Sequence, residues 1–388
     1  MNLKRLLPLY IGAAIGPMGG FGIVPVIPVW AKAWDIDFGT ASLGITFYMA
    51  PFIFIQIFSG SIAQLFDVRK TLIFGFAIYA LGGLLCGLSP DLWSLLGSRS
   101  IQGVGAAFLA PIIMALIGDL VPEHHLGKAM GMLGLAYTIG VTLGPLIAGV
   151  IEVRFGWPWF FYSLATLSLM AGAFYGLTSE TIQREKTGQG NLLEILTVLR
   201  HALVQPGVIY LSLSAFSLFI TYIGIGTFTA DHLNSNLGLA SDQIGLLIST
   251  TGFSGIIVSP IAGLLGDRLG RKRVFLAGLG IVLVSIVLMA SLPYSYSAYI
   301  LFFLILGTGS ATAWTSLNTM AVELSSTWRK PVTSFYNAVK FSGYALAPII
   351  LSIVYGPLHL RGVQWACMGA VMISALFAFK EGSPRMRT

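Results

Sequence analysis

Two basic side chains interrupt stretches otherwise apolar enough for the middle of a bilayer: Arg99 in "LLGSRSIQGVGAAF" (95–108) and Lys340 in "SFYNAVKFSGYALAP" (334–348). A cation at the centre of a membrane helix costs about 2.5–3.5 kcal/mol on insertion scales, so each needs a partner or a watery cavity. Lys340 lies roughly ten residues from the nearer end of its apolar run, too deep to reach the headgroups comfortably. Tyr336 stands four residues before it and Asn337 lies beside them, giving one polar stripe at helical spacing. Such groups can bind an anionic substrate or trade a proton. Arg99 has a second reading, a hydrogen-bond hub to carbonyls of the first run, where Gly16–Pro17 and Gly19–Gly20 are expected to disturb the backbone. Gln56, Asn318 and Trp314 at mid-run positions, with Met18 and Phe21 on the first run, are further candidates for the lining of a substrate cavity.

The acidic residues all fall near run ends or in connections, so a cavity in this protein should be neutral to positive. Asp119, Glu152 and Asp35 are the acids placed to reach a path from its ends, and with Arg99 and Lys340 they are the candidates for proton coupling. His124 and His125, beside Glu123, lack further ligands, so no metal is expected. No zinc-protease helix pattern, nucleotide-binding glycine loop or nucleophile elbow occurs. No cofactor, direct ATP use or enzymatic activity follows from such a sequence.

The elements that must position these groups are membrane spans. With 56% hydrophobic and 10% charged residues, the chain has the balance of an integral membrane protein. Runs of roughly 20 apolar residues occur at about 7–31, 41–66, 71–89, 93–118, 128–151, 158–178, 207–230, 243–266, 273–292, 297–322, 331–354 and 361–379. Twelve helical crossings are expected, and the runs are too continuous for a membrane barrel. Placing residue 1 inside leaves only Lys32, Arg154 and Arg361 in outer segments, which sets both termini in the cytoplasm of a multi-pass protein of the cell (inner) membrane. The net charge of +7 is then explained by topology, and no nucleic-acid partner is implied. Trp30, Trp34, Trp93, Trp157, Trp159 and Trp365 fall near outer ends, where an aromatic belt belongs. Cys86 and Cys367 read as packed thiols, and the first run, having no cleavage-like boundary, reads as a retained helix.

One long polar stretch, 179–206, divides the runs six and six, with Leu192, Ile195, Leu196, Leu199 and Leu203 on one face of a short surface helix. The expected domains are an N-terminal bundle (1–178), this cytoplasmic linker with its amphipathic helix (179–206) and a C-terminal bundle (207–388). The halves repeat at an offset of 203 to 204: Gly103 and Gly105 return as Gly307 and Gly309, Gly140 as Gly343, Pro145 as Pro348, and Asp119 as Glu323. A parallel repeat of this kind suits a carrier whose halves rock about an axis along the membrane normal.

The chain resembles the major facilitator superfamily over its whole length, in particular its twelve-helix drug:proton antiporter branch. "GLLGDRLGRKR" (263–273) is similar to the family's loop motif between helices 8 and 9. Gly263 would allow close helix approach, and Asp267, Arg268, Arg271 and Lys272 would join Glu323 in a charge network that holds one arrangement of helices and releases it. The first-half copy, "GSIAQLFDVRK" (60–70), begins at Gly60 and has Gln64 in place of the aspartate and Asp67 in place of Gly270, leaving Arg69 and Asp119 as a candidate pair. "Arg-x-x-Gln-Gly-x-Gly", met at Arg99, looks like the family's helix 4 motif and implies a part in proton coupling or cavity polarity. "GVTLGPLIAGVI" (140–151) resembles the exporters' helix 5 motif, with Ala148 replacing a glycine. Gly140, Gly144, Pro145, Ala148 and Gly149, with Gly343 and Pro348 in the repeat, would form a smooth, bendable seam between the halves.

The expected architecture is an all-α membrane protein of two pseudo-symmetric six-helix bundles, acting as a monomeric, proton-coupled exporter of a neutral, zwitterionic or anionic amphipathic small molecule. An importer of an organic anion, or a non-transporting membrane sensor or enzyme on the same fold, are the other readings the residues leave open.

Overall fold

A computed structural model describes residues 3–65, 67–178, 206–324 and 329–380, and among these every regular element is a helix. In chain order they are α1 (Leu3–Phe21), α2 (Ile27–Ala33), α3 (Phe38–Leu65), α4 (Val68–Gly87), α5 (Leu92–Leu120), α6 (Glu123–Phe155), α7 (Pro158–Thr178), α8 (Pro206–Leu237), α9 (Ser241–Leu269), α10 (Arg271–Ser291), α11 (Tyr296–Glu323) and α12 (Arg329–Lys380). Ten of them, α3 to α12, are long and apolar enough to cross a membrane. The expected helix in the linker lies outside the described residues.

One boundary differs from the sequence expectation. The first apolar run is two helices, and the break comes at residues 22–26 rather than at Gly16–Gly20, which stay helical. Pro17 deletes a single backbone bond, which α1 tolerates. At Gly22 a Cβ would stand 2.7 Å from the Phe160 ring and 3.1 Å from the Gly144 backbone, so the chain turns where only glycine fits. The last two runs lie within α12 on either side of His359, whose non-helical backbone (φ 50, ψ −151) divides the element where the sequence separates the runs.

Polar side chains close the helix starts. Asp67 accepts from Lys70 N at 3.0 Å at the start of α4, and Asp91 forms a reciprocal cap with Ser94 at the start of α5. Asp37 accepts from Thr40 N at 2.8 Å. Gly270 (φ 93) gives the one-residue reversal between α9 and α10.

The described residues fall into two compact units, within Met1–Gly190 with Gly238–Leu246 and within Asn191–Leu237 with Leu247–Thr388. Each unit repeats the other's closest backbone approaches. A Cβ on Gly103 of α5 would meet the Tyr48 carbonyl of α3, and one on Gly307 of α11 would meet the Thr251 carbonyl of α9. Gly105 lies against Tyr79 of α4 as Gly309 lies against Val282 of α10. Gly140 of α6 lies against Ala14 of α1, and Gly343 of α12 against Phe216 of α8. The offset of 203 to 204 residues is therefore a repeat of packing as well as of letters.

The tryptophan belt needs one correction. Trp30 is fully buried on α2, with its ring 5.8 Å from Trp157, 6.2 Å from Phe161 and 6.4 Å from Trp34. It is a core residue because α2 packs on α3 at Gly44 and sets the ring against Trp157 and Phe161 at the start of α7, whereas Trp93, Trp159 and Trp365 are exposed.

Candidate functional site

In the second unit, α12 presents Tyr336 and Lys340 one turn apart, and α11 brings Asn318 to both. Asn318 Oδ1 accepts from the Tyr336 hydroxyl at 3.0 Å and lies 3.5 Å from Lys340 Nζ. Lys340 is 8% exposed. Its ammonium stands 4.7 Å from the Phe341 ring centre, 5.2 Å from Tyr336 and 5.5 Å from Phe219 of α8. The quadrupoles of these rings offset part of the desolvation, at about 0.5–2 kcal/mol each. Of the three N–H bonds on the ammonium, one finds an acceptor, a neutral amide, among the described residues.

The aromatic surface continues away from the lysine. Trp314 of α11 lies 6.1 Å from Phe219 and 5.3 Å from Tyr222, whose hydroxyl shares a 2.9 Å hydrogen bond with Thr251 of α9. Phe219, Tyr222, Phe341 and Thr251 were not singled out in the sequence. Three are aromatic residues in aromatic-rich helices, and no spacing within one helix reveals a ring supplied by another. Asn337 is half-buried on α12, and Asn318 is exposed at the edge of the group.

Arg99 occupies a different kind of place in the first unit. It is fully enclosed: Nη1 donates to the Gly19 carbonyl at 3.0 Å and to Gln102 Oε1 at 2.6 Å, and Nε donates to the Gly44 carbonyl at 3.1 Å. The guanidinium carbon lies over the Tyr48 and Phe161 rings, 4.3 and 5.8 Å from their centres. α1 ends at Phe21, so the Gly19 carbonyl is among those left without a helical partner, and a cation there satisfies both the carbonyl and the helix dipole. Tyr48 and Tyr79 add bonds to the carbonyls of Gly16 and Ile15, at 2.8 and 2.9 Å. Met18 and Phe21 are buried in the same unit, and Gln56 is half-buried on α3.

At the far end of α9, Arg271 donates to Asp267 and to the Gly263 carbonyl at 2.9 Å, and reaches Glu323 at 3.4 Å, tying α9, α10 and α11 together. Gly263 makes no close helix approach, because a Cβ there would meet nothing within 4 Å. What it supplies is a carbonyl. Arg268 is exposed and in no ion pair among the described residues, and Lys272 stands 5.3 Å from the Phe379 ring. In the first unit, Arg69 donates to the Gly176 carbonyl and Asp67 caps α4. Gly60 and Gln64 lie on α3 and Asp119 on α5, with side chains outside the described residues. Asp35 (φ 49) is exposed in the turn before α3, and Glu152 is half-buried on α6.

The small-residue strip on α6 makes close approaches to two other helices, α1 and the start of α9. Gly140 and Gly144 face α1, the latter with Met18 O 2.9 Å from a notional Cβ. Gly149 meets Ser241, and the Pro145 carbonyl meets Gly245, both in the 238–246 segment that groups with the first unit. Ala148 is fully buried, and α6 and α12 remain helical through Pro145 and Pro348. No group of three or more His, Cys, Asp or Glu side chains among the described residues is arranged to hold a metal.

Among the described residues, helices alone, ten of them candidate spans, with buried cations and packing repeated in two units, define a polytopic membrane protein. The Major Facilitator Superfamily model matches residues 9–233 and 211–388, and the chain belongs to that family. It is 27% identical, over 98% of its length and 95% of the relative's, to the uncharacterized MFS-type transporter YwfA of Bacillus subtilis (strain 168). It is 24% identical to the Multidrug resistance protein MdtG of Salmonella heidelberg (strain SL476), over 98% and 96%. It is 23% identical to the Riboflavin transporter RibZ of Clostridioides difficile (strain 630), over 76% and 75%. Its fold matches the crystal structure of a bacterial homolog of the human lysosomal transporter Spinster, inward-facing and unoccupied, with a TM-score of 0.80, 16% identity and coverage of 98% and 97%. The chain resembles the family's drug:proton antiporter branch, and the family's members are transporters, not enzymes.

Proposed function

We propose that this chain is a proton-coupled secondary carrier that exports a neutral, zwitterionic or anionic amphipathic small molecule by alternating access. Lys340 and the rings of Phe219, Phe341, Tyr336 and Trp314 form the substrate-binding group, and Asn318 orients both polar ends of it. Arg99 acts from within the first unit by fixing the end of α1. The carrier works as a monomer in the cell membrane with both termini in the cytoplasm, and its two six-helix halves are 1–178 and 207–388. Twelve crossings are reached when α12, broken at His359, counts as two and α1 with α2 as one, beside the other nine candidate spans.

The observation that carries this reading is Lys340, a buried ammonium among rings, with an amide in place of a carboxylate as its polar neighbour. Such a group favours a substrate that brings a negative or dipolar end and a flat apolar body. Two relatives carry names, multidrug resistance protein and riboflavin transporter, that point to organic small molecules.

The test is flux in liposomes carrying the purified protein, with riboflavin and fluorescein as probes and rhodamine 6G as a cationic comparator. Gradient-dependent export of either of the first two supports the reading. Equal flux with and without an imposed pH gradient removes proton coupling, and preference for rhodamine 6G removes the substrate class.

A further inference from the structure

Asp231 is a buried carboxylate that none of the motifs includes. It lies six residues before the end of α8 and is 8% exposed. Its Oδ1 accepts from Ser235 Oγ at 2.9 Å and its Oδ2 from the Tyr355 hydroxyl. Among the described residues it forms no ion pair, and its hydrogen-bond partners are two neutral hydroxyls. The ionisable groups facing it are Tyr355 and, beyond it, His359 from α12, with His232 from α8 itself. The Tyr355 and His359 rings stand at right angles with centres 6.4 Å apart, and His232 is tied to Asn236 at 3.0 Å.

Exposure falls along this line, from exposed His359 through half-buried Tyr355 to buried Asp231. His359 is also where α12 breaks, in a backbone conformation (φ 50, ψ −151) that glycine alone adopts readily. The break therefore lies one turn from Tyr355, the residue that bonds the buried carboxylate. The line lies at the end of α9 opposite the Arg271 cluster: α9 begins at Ser241, and its 29 residues carry the chain roughly 44 Å.

We propose that Asp231 is a proton-binding site of the carrier, loaded from the aqueous side past His359 and through the Tyr355 hydroxyl. Tyr355 gives its proton to Asp231 Oδ2 while its oxygen takes one from the solvent side, so the tyrosine ends unchanged and the carboxylate ends neutral. The neutral acid is a weaker acceptor than the ionised one. The tie between α8 and α12 slackens at the break, which converts proton occupancy into freedom for α12 to move. This rests on the proton coupling proposed above and gives it a location.

Two measurements on the full-length protein in liposomes test it, comparing wild type, Asp231→Asn, Asp231→Glu and Tyr355→Phe. In infrared difference spectra between acidic and alkaline buffer, wild type should show a carboxylic acid carbonyl band that Asp231→Asn removes and Asp231→Glu restores in shifted form. Identical spectra for wild type and Asp231→Asn overturn the site, whether or not any probe is carried. In flux assays with riboflavin and fluorescein, Asp231→Asn should keep counterflow exchange and lose gradient-driven accumulation by about tenfold or more. Tyr355→Phe should retain exchange and slow the gradient-driven phase. Wild-type flux that ignores the gradient refutes coupling itself, whereas coupled wild type beside equally coupled Asp231→Asn refutes this carboxylate alone.

Discussion

Gly140 and Gly343, 203 positions apart, hold the same place in their own units: each presses its Cα against a backbone carbonyl, of Ala14 in one and of Phe216 in the other. The partner atoms are main chain, which cannot swing aside as a side chain can. Close approach of α6 to α1, and of α12 to α8, therefore depends on hydrogen at both positions.

Gly140→Val and Gly343→Val should each destabilise the purified protein by about 1–3 kcal/mol, the usual cost of overpacking. Thermal unfolding in detergent reads this directly. Gly263→Ala is the matched comparison: a Cβ there meets nothing within 4 Å, and an alanine in a helix gains about 0.5–1 kcal/mol over glycine. Equal melting shifts for all three would show that the close contacts carry no weight.

Arg271 should matter more than either of its carboxylate partners. Asp267 and Glu323 side chains are 62% and 55% exposed while Arg271 is 21% exposed, and exposed pairs contribute about 0–1 kcal/mol. Glu323→Gln should shift stability by less than about 1 kcal/mol, and the shift should vanish near 1 M salt, where screening acts within about 3 Å. Arg271→Ala also forfeits the bond to the Gly263 carbonyl and should cost more at every salt concentration. A larger, salt-independent loss for Glu323→Gln would mean that the carboxylate is buried in the membrane-embedded protein.

The repeat, the spans and the charged loop were legible in the sequence because each has a linear signature: glycine spacing, run length, and a carboxylate four residues from an arginine. What was not legible depends on partners from other helices. Trp30 looks interfacial by position, and only the turn at 22–26 folds it into the core. Gly16–Pro17 looks like a helix break, yet the break falls at Gly22, where crowding by Phe160 and Gly144 decides. Asp231 sits near a span end, as an unremarkable acid would, and its burial is visible only once Tyr355 arrives from a point 124 residues away. Phe219 becomes notable only beside Lys340.

Arg99 should behave as a structural tie with a functional consequence. Arg99→Ala would strand the Gly19 carbonyl and Gln102 Oε1 in an enclosed site, and a hydrogen bond to a charged group contributes about 1.5–3 kcal/mol. A melting temperature several degrees lower is the expected result. Arg99→Lys should recover little, because one ammonium cannot reach Gly19, Gly44 and Gln102 with the geometry of a planar guanidinium. Full rescue by lysine would mean that charge alone is needed at this position.

Lys340→Met keeps the length and apolar stem of the side chain and removes its charge, so its effect separates packing from electrostatics. Stability should hold or rise, since a buried ammonium with a single amide acceptor is costly to keep. Binding should change by ligand charge. For an anion such as fluorescein, losing a charged hydrogen-bond donor costs about 1.5–3 kcal/mol, roughly a ten- to hundredfold weaker Kd. Neutral riboflavin keeps its contacts with Phe219, Phe341 and Trp314 under this reading and should bind within about threefold of wild type. Fluorescence titration of both probes against detergent-purified protein gives the comparison. Equal weakening of both would make Lys340 a prop for the aromatic group, and no change in either would place the substrate elsewhere; only the split by charge assigns the ammonium to the ligand.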